Sequence, residues 1–218
     1  VAAPLSPLGA RGYAVPPAPQ RATLAGADFR FGAGWRVERK GVAPDDAAVS
    51  SLSEGLSEQF HIALSRAAQG GTVTLALAPA SVAIGDALDS DKQAIARQAY
   101  RIDLHPTAIT VEANAPAGLF YGVQTLLQLV KPRDGGLWLP EGQIVDWPDL
   151  QLRQIYWDDA HHLERPEALR NAIRQAAFYK INGFAIKLEG HFQYRSAPVI
   201  VEPYALHRRS SNRSPTTD

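Results

Sequence analysis

A strand, a helix and a second strand follow one another over residues 150–188, and this order constrains the chain more than any other feature. Residues 150–157 (LQLRQIYW) read as a buried strand that ends in the acidic pair Asp158 and Asp159. Residues 165–181 read as an amphipathic helix. Residues 183–188 (GFAIKL) read as the next strand, followed by Glu189, Gly190 and His191. Neighbouring parallel strands need a crossover of this kind, and it is right-handed almost without exception. One such unit cannot bury both faces of its sheet. Residues 149–206 therefore read as the first βαβ unit of a larger parallel-stranded domain.

The residues upstream have a different character. Residues 1–20 are rich in Pro and Ala, with Pro16, Pro17 and Pro19, and predict an extended lead-in. Residues 29–39 (FRFGAGWRVER) predict one strand with a Gly-containing kink. Val49, Leu52, Leu56, Phe60, Ala63 and Ala67 recur every three or four residues, which predicts a helix over 45–68 closed by Gly70 and Gly71. Residues 72–77 alternate as a strand. Residues 98–105 and 108–113 predict a hairpin with Pro106 in the bend; Tyr100, Ile102 and Leu104 share one face, as do Ile109 and Val111.

Pro116 suits the first turn of a second helix, with Leu119, Val123, Leu126 and Val130 as its apolar stripe. Residues 132–136 break it, 137–139 and 143–145 are short candidate strands, and 146–149 (DWPD) is the natural boundary. Residues 21–148 thus predict an α+β domain: roughly five to seven strands in an antiparallel or mixed sheet with two helices on one face. The fold class expected of the chain is this α+β domain followed by an incomplete (β/α)8 barrel fragment.

Composition narrows the chemistry. Among 218 residues, 22 are basic and 22 acidic, so no global field steers the chain toward nucleic acid, and no nucleic-acid partner is expected. No apolar run approaches the roughly 18 to 20 residues that span a bilayer, so no membrane partner is expected. Cys is absent, which excludes disulfides and thiolate metal sites. Motifs for a phosphate loop, a dinucleotide turn, paired zinc ligands or a nucleophile elbow are absent, and neither a cofactor nor a metal is expected. Met is absent too, including at position 1. The opening VAAPLSPLGARG suits a mature end left after signal-peptide removal, which favours a periplasmic or secreted protein; an arbitrary boundary would look the same.

Several stretches carry a family likeness. Residues 15–20 (VPPAPQ), 99–113 (AYRIDLHPTAITVEA) and, most specifically, 115–129 (APAGLFYGVQTLLQL) lie in the upstream part. Residues 144–148 (IVDWP), Arg153 with Asp158 and His162, and 179–182 (YKIN) follow. In this order they resemble bacterial members of glycoside hydrolase family 20, the β-N-acetylhexosaminidases, over about residues 15 to 206. The resemblance implies a small α+β domain in front of a (β/α)8 barrel, and a carbohydrate partner bearing terminal N-acetylhexosamine. It implies that Arg153 matches the first-strand Arg that binds hydroxyls of the terminal sugar, although Gln154 stands where Gly is usual. Asp158 matches the strand-end Asp.

The second strand departs from the family pattern: where "HxHLxD" is usual, residues 185–190 read AIKLEG. The family's catalytic Asp-Glu pair lies on the fourth barrel strand, beyond this chain's second, so no catalytic residue is assigned. In that mechanism the substrate's own acetamido oxygen attacks the anomeric carbon while the Glu protonates the leaving oxygen. The complete parent is thus expected to be a retaining hydrolase and this chain inactive alone. The alternatives are a non-catalytic module that packs on a barrel or binds carbohydrate, or a fragment of a related family 84 or α-glucuronidase-type hydrolase.

The residues themselves leave choices open. Arg153, read as mid-strand between Leu152 and Ile155, is either a substrate contact or one half of a salt bridge in a barrel base. Asp158 and Asp159 end a strand at the side where barrels bind ligands, but either could cap a helix or sit in a solvated loop. Being adjacent, they point in different directions. Lys187, Glu189 and His191 follow a strand period of two, and Glu189 is the one expected to face a ligand. Trp157 is the indole expected to form a pocket wall. His161 and His162 converge poorly on one ion. The tail after Leu206 (HRRSSNRSPTTD) reads as disordered. With one permitted choice of codons, a one-nucleotide shift turns it into TPAEFQQVTDYG, the start of a capped helix, so a frameshift at this point is an expectation.

Overall fold

The computed structural model describes residues 5–64, 70–159, 164–203 and 205. Expectations for Ala67, His161, His162 and the 207–218 tail lie outside the described residues. The chain divides into two compact units, 1–151 and 152–218.

Along the first unit run α1 (Pro7–Ala10), β1 (Arg21–Leu24), β2 (Phe29–Phe31), β3 (Trp35–Lys40), α2 (Ala47–Phe60), β4 (Gly71–Leu77) and α3 (Lys92–Ala96). They are followed by β5 (Tyr100–His105), β6 (Ala108–Ala113), α4 (Pro116–Leu129), β7 (Lys131–Arg133), β8 (Gly136–Leu139) and β9 (Gly142–Asp146). Among the described residues, six strands pair in the order β1-β9-β5-β6-β4-β3, and three more in the order β2-β8-β7. The larger sheet is mixed: β4 runs parallel to both β3 and β6, and the other pairings are antiparallel. This is the α+β domain that the sequence predicts.

The β5-β6 hairpin forms where the alternation places it. Tyr100, Ile102 and Leu104 are buried together with Ile109 and Val111. The opposite face carries Arg101, which bonds Asp103 at 3.1 Å and Glu112 at 2.7 Å. Helix α4 is buried along most of its length because it packs on β4, β5 and β6 and on α2. Its motif glycines explain the close approach. A Cβ at Gly118 would strike the Ala99 carbonyl, and one at Gly122 would meet Val111 Cγ1 at 2.6 Å.

Several boundaries differ from expectation. Helix α2 stops at Phe60, not Ala68: His61 turns left-handed (φ 56°), its N–H bonds Ser57 O, and the next N–H reaches back to Leu56 O. Its buried line is Ala48, Leu52, Gly55 and Leu56, while Ala63 is exposed. Gly71 opens β4 and lies well beyond the end of α2 at Phe60. The single strand expected over 29–39 is two, in different sheets, because the chain turns at Gly32, whose carbonyl accepts from Trp35 N–H. Pro132 lies inside β7, tolerated there because β7 is a sheet edge and owes no donor on its outer side. Strand β1 and helices α1 and α3 carry no signal strong enough to predict. Within residues 5–20, Ser6 caps α1, and Leu8, Tyr13 and Val15 are buried.

The second unit contains β10 (Gln154–Asp158), α5 (Pro166–Phe178) and β11 (Gly183–Lys187). Strands β10 and β11 pair in parallel, with Gln154 opposite Gly183 and Asp158 opposite Lys187. The strand begins four residues later than predicted, and Leu152 ahead of it is 58% exposed. Helix α5 buries Leu169 and Ala176, seven residues apart on one face. Pro166 opens it, and Tyr179 caps it.

Candidate functional site

The parallel register brings Asp158 and Lys187 side by side at the carboxyl end of β10 and β11. Lys187 Nζ lies 3.6 Å from Asp158 Oδ2 and 2.8 Å from Glu189 Oε1. One ammonium thus stands between two carboxylates, all three of them partly exposed. The hydrogen bond to Glu189 holds the Lys187 pKa above its ordinary value, and the charge of Asp158 adds to this. Tyr156 is on the same strand face as Asp158 and is 63% exposed. Such a group offers acceptors and a donor to a polar ligand. Neither carboxyl stands in an apolar pocket of the kind that keeps a catalytic acid protonated.

The sequence-predicted residues do not all converge here. Asp158 and Glu189 share Lys187. Trp157 lies on the other strand face, half-buried, stacked on Phe184 with ring centroids 5.9 Å apart. Arg153 is not mid-strand. It precedes β10 at the amino end, five residues and therefore about 16 Å of strand from Asp158. There its Nε donates to Lys180 O at 2.8 Å, its N–H to Asn182 Oδ1, and its carbonyl accepts from the N–H groups of Asn182 and Gly183. The guanidinium thereby ties the end of the crossover to the start of the first strand.

His191 does not follow the strand alternation either. Glu189 adopts φ 46° and opens a short 3₁₀ turn, so the period of two ends at Lys187. The turn carries His191 inward, where it is buried and its Nδ1 lies 2.8 Å from the Asp159 carbonyl. A carbonyl only accepts, so Nδ1 bears the proton. Asp159 is fully buried, opposite in direction to exposed Asp158. Its N–H continues the ladder to Lys187 O, and its Oδ1 accepts from Glu164 N–H. Its Oδ2 has no hydrogen-bond partner among the described residues.

Lys180, Asn182 and the Asp159–His191 link are the structural partners that sequence reasoning missed. Asn182 offered a signal, as a turn-forming residue just ahead of a strand. Among the described residues no group of three His, Asp or Glu is placed to hold a metal ion. No described helix is long and apolar enough to cross a membrane. A cavity of about 440 Å³ lies in the first unit, lined by Phe31, Phe60, Ile62, Arg133 and Leu137 among others, and includes none of the four sequence-predicted residues.

The first unit is thus an α+β domain with two helices packed together, and the second carries a parallel βαβ unit. Residues 12–147 match the model of glycosyl hydrolase family 20, domain 2, and the chain belongs to glycoside hydrolase family 20. It is 35% identical over 86 residues to a β-hexosaminidase of Vibrio furnissii, a match covering 39% of this chain and 14% of that protein. It is 30% identical over 90 residues to an N,N'-diacetylchitobiase of Vibrio harveyi, covering 41% of this chain and 10% of that one. Its fold is similar to that of Streptomyces plicatus N-acetyl-β-hexosaminidase, solved in complex with thio-NAGlucal. The TM-score is 0.67 and the identity 26%, over 84% of this chain and 37% of that one. The chain therefore spans about a third or less of the length of each of these relatives.

Proposed function

We propose that this chain is part of a glycoside hydrolase that removes terminal N-acetylhexosamine from glycans. In this reading the first unit is its non-catalytic domain, and β10, α5 and β11 are the first βαβ unit of its catalytic barrel. The observation that carries the reading is the in-register parallel β10-β11 pair, which follows directly on a family 20 domain. The β-hexosaminidase relative supports the substrate class.

Asp158 and Glu189 are the proposed sugar contacts, held apart and oriented by Lys187, because ligands of barrel enzymes bind at the carboxyl ends of the strands. Trp157 is proposed as a wall beside them. Arg153 enters as a contact of the terminal sugar by resemblance alone; its hydrogen bonds to Lys180 and Asn182 argue for a structural tie. The acid that protonates the leaving oxygen and the group that orients the acetamide would come from later barrel strands. Without a carboxyl poised over the glycosidic oxygen, cleavage has no good route.

The test is an assay of the 218 residues on a chromogenic N-acetylglucosaminide, with the coding sequence downstream read in both frames. The expected results are no turnover and an adjacent Asp-Glu pair encoded beyond the chain. Turnover by the chain alone would overturn the assignment of the chemistry to later strands. The absence of such a pair in either frame would overturn the hexosaminidase reading.

A further inference from the structure

The outward face of the small β2-β8-β7 sheet gathers cations around one indole. Strand alternation sends Phe29, Phe31 and Leu139 inward, where they are buried. It leaves Arg30, Trp138, Lys131 and Arg133 on the opposite face. Arg30 and Lys131 are the register partners of Trp138 on its two sides. The guanidinium carbon of Arg133 lies 4.6 Å from the indole centroid and that of Arg30 5.9 Å. The indole is fixed by its own N–H, which donates to Arg133 O at 2.9 Å. Gly136 makes the room: a Cβ there would meet Arg30 Nη2 at 2.7 Å.

Charge on this face is not cancelled locally. Arg11 and Arg133 share Asp28, at 3.5 and 3.2 Å, and that carboxylate is only 13% exposed. Asp134 lies 3.5 Å from Arg133 Nε. Lys131 Nζ donates to Gly12 O and sits 5.2 Å from the Tyr13 ring centroid. Four cations thus face two carboxylates. Arg30 has no carboxylate partner among the described residues. A guanidinium laid on an indole loses water from one face yet keeps its in-plane donors for a planar anion.

We propose that this face docks an acidic polysaccharide, a polymer of sugar rings bearing carboxylates. Arg30 takes a carboxylate through its fork of N–H donors, Arg133 and Lys131 add positive potential, and Trp138 supports the two guanidinium groups. The choice of a sugar polymer over other polyanions rests on the proposed glycosidase reading; the charge argument does not.

The test measures binding of the whole chain to polygalacturonate, with N-acetylchitohexaose as a neutral glycan and polyglutamate and duplex DNA as polyanions without that sugar backbone. Binding to polygalacturonate that weakens with salt is expected, together with weaker binding to the other three. Arg30→Gln is expected to lower affinity about tenfold, the loss of one charge-assisted contact, with an unchanged melting temperature. Arg30→Lys, which keeps the charge and loses the fork, should fall between. No binding by the parent chain, or equal binding by Arg30→Gln, would overturn the proposal. Polyglutamate or DNA bound as tightly as polygalacturonate would reduce the face to a nonspecific cation patch and equally overturn it. Turnover plays no part in this measurement, so failure of the hexosaminidase reading would show separately, in the downstream sequence.

Discussion

The Tyr100 hydroxyl donates to Asp146 Oδ2 at 2.6 Å, inside the core of the first unit and next to Thr125 Oγ1, also at 2.6 Å. Asp146 ends β9 and receives a second bond, from Gln20 N–H, at Oδ1. This arrangement ties the hairpin, helix α4 and the last strand to one buried carboxylate. Burial first, and the Asp146 charge second, hold the Tyr100 pKa well above its usual 10.0, so the ring stays neutral. A raised folded pKa means that its contribution is intact below about pH 10 and is lost as pH rises further. Replacing Tyr100 with Phe leaves a buried carboxylate short of a donor. The expected loss is about 2–3 kcal/mol, or a fall of about 5–10 °C in Tm. A melt within about a degree of the parent would mean that the carboxylate has other means of support.

Gly118 and Gly122 sit in the most family-specific motif of the chain, and their role is packing. Alanine at Gly118 would drive its Cβ into the Ala99 carbonyl, a backbone atom that cannot rotate away. Alanine is the better helix former by about 1 kcal/mol, but overpacking costs about 1–3 kcal/mol and backbone contacts fall at the upper end. Gly118→Ala is therefore expected to destabilise by about 1–2 kcal/mol net. Gly32 is the control, because a Cβ added there would meet nothing within 4 Å and its φ is not left-handed; Gly32→Ala should melt like the parent. Chemical denaturation of the two variants side by side checks both. Equal stability would show that α4 can slide to absorb a methyl group.

What can be read from the sequence divides along local and non-local lines. The alternation through Tyr100, Ile102 and Leu104 and the stripe through Leu119, Val123 and Leu126 each report burial by spacing alone, and those elements form as read. The end of α2 is different, because His61 adopts the left-handed state that Gly usually signals. Pro132 in β7 is acceptable because, among the described residues, no strand pairs on its outer side, a fact of topology. At the candidate site, Asp158 is legible as a strand end. The meeting of Lys187 with both Asp158 and Glu189 depends on the parallel register and on the φ of 46° at Glu189, neither of which spacing encodes. The apolar neighbours of Arg153 predict a strand position, yet the loop around Asn182 holds it outside.

Lys187 offers a direct check of the site's geometry. Its hydrogen bond to Glu189 is the largest cause of its raised pKa. Glu189→Gln should bring the Lys187 titration back toward its usual 10.5, while Asp158→Asn should lower it by less. The sign follows from linkage: a raised folded pKa favours the fold fully below 10.5 and ceases to do so as pH climbs through the folded value. NMR titration of the Lys187 side chain in the two variants measures this. A larger drop in Asp158→Asn than in Glu189→Gln would reverse the order of the two contacts.

The second unit presents apolar surface without cover. Tyr156 is 63% exposed, Ile173 44%, Tyr179 44%, Ile186 38% and Val199 92%. Its sheet has two strands among the described residues, and two strands bury too little to offset the entropy of ordering them. Local opening follows contact density, so this unit should open more readily than the six-stranded sheet of the first. Limited proteolysis of the chain is expected to cut first within residues 152–203 and to leave a resistant core ending near Gln151. Hydrogen exchange should show fast amides in β10 and β11 and slow ones in β5 and β6. Protection of β10 equal to that of β5 in a monomer would mean that the second unit is stable as it stands, and the proposed barrel fragment would have to be reread as a complete fold.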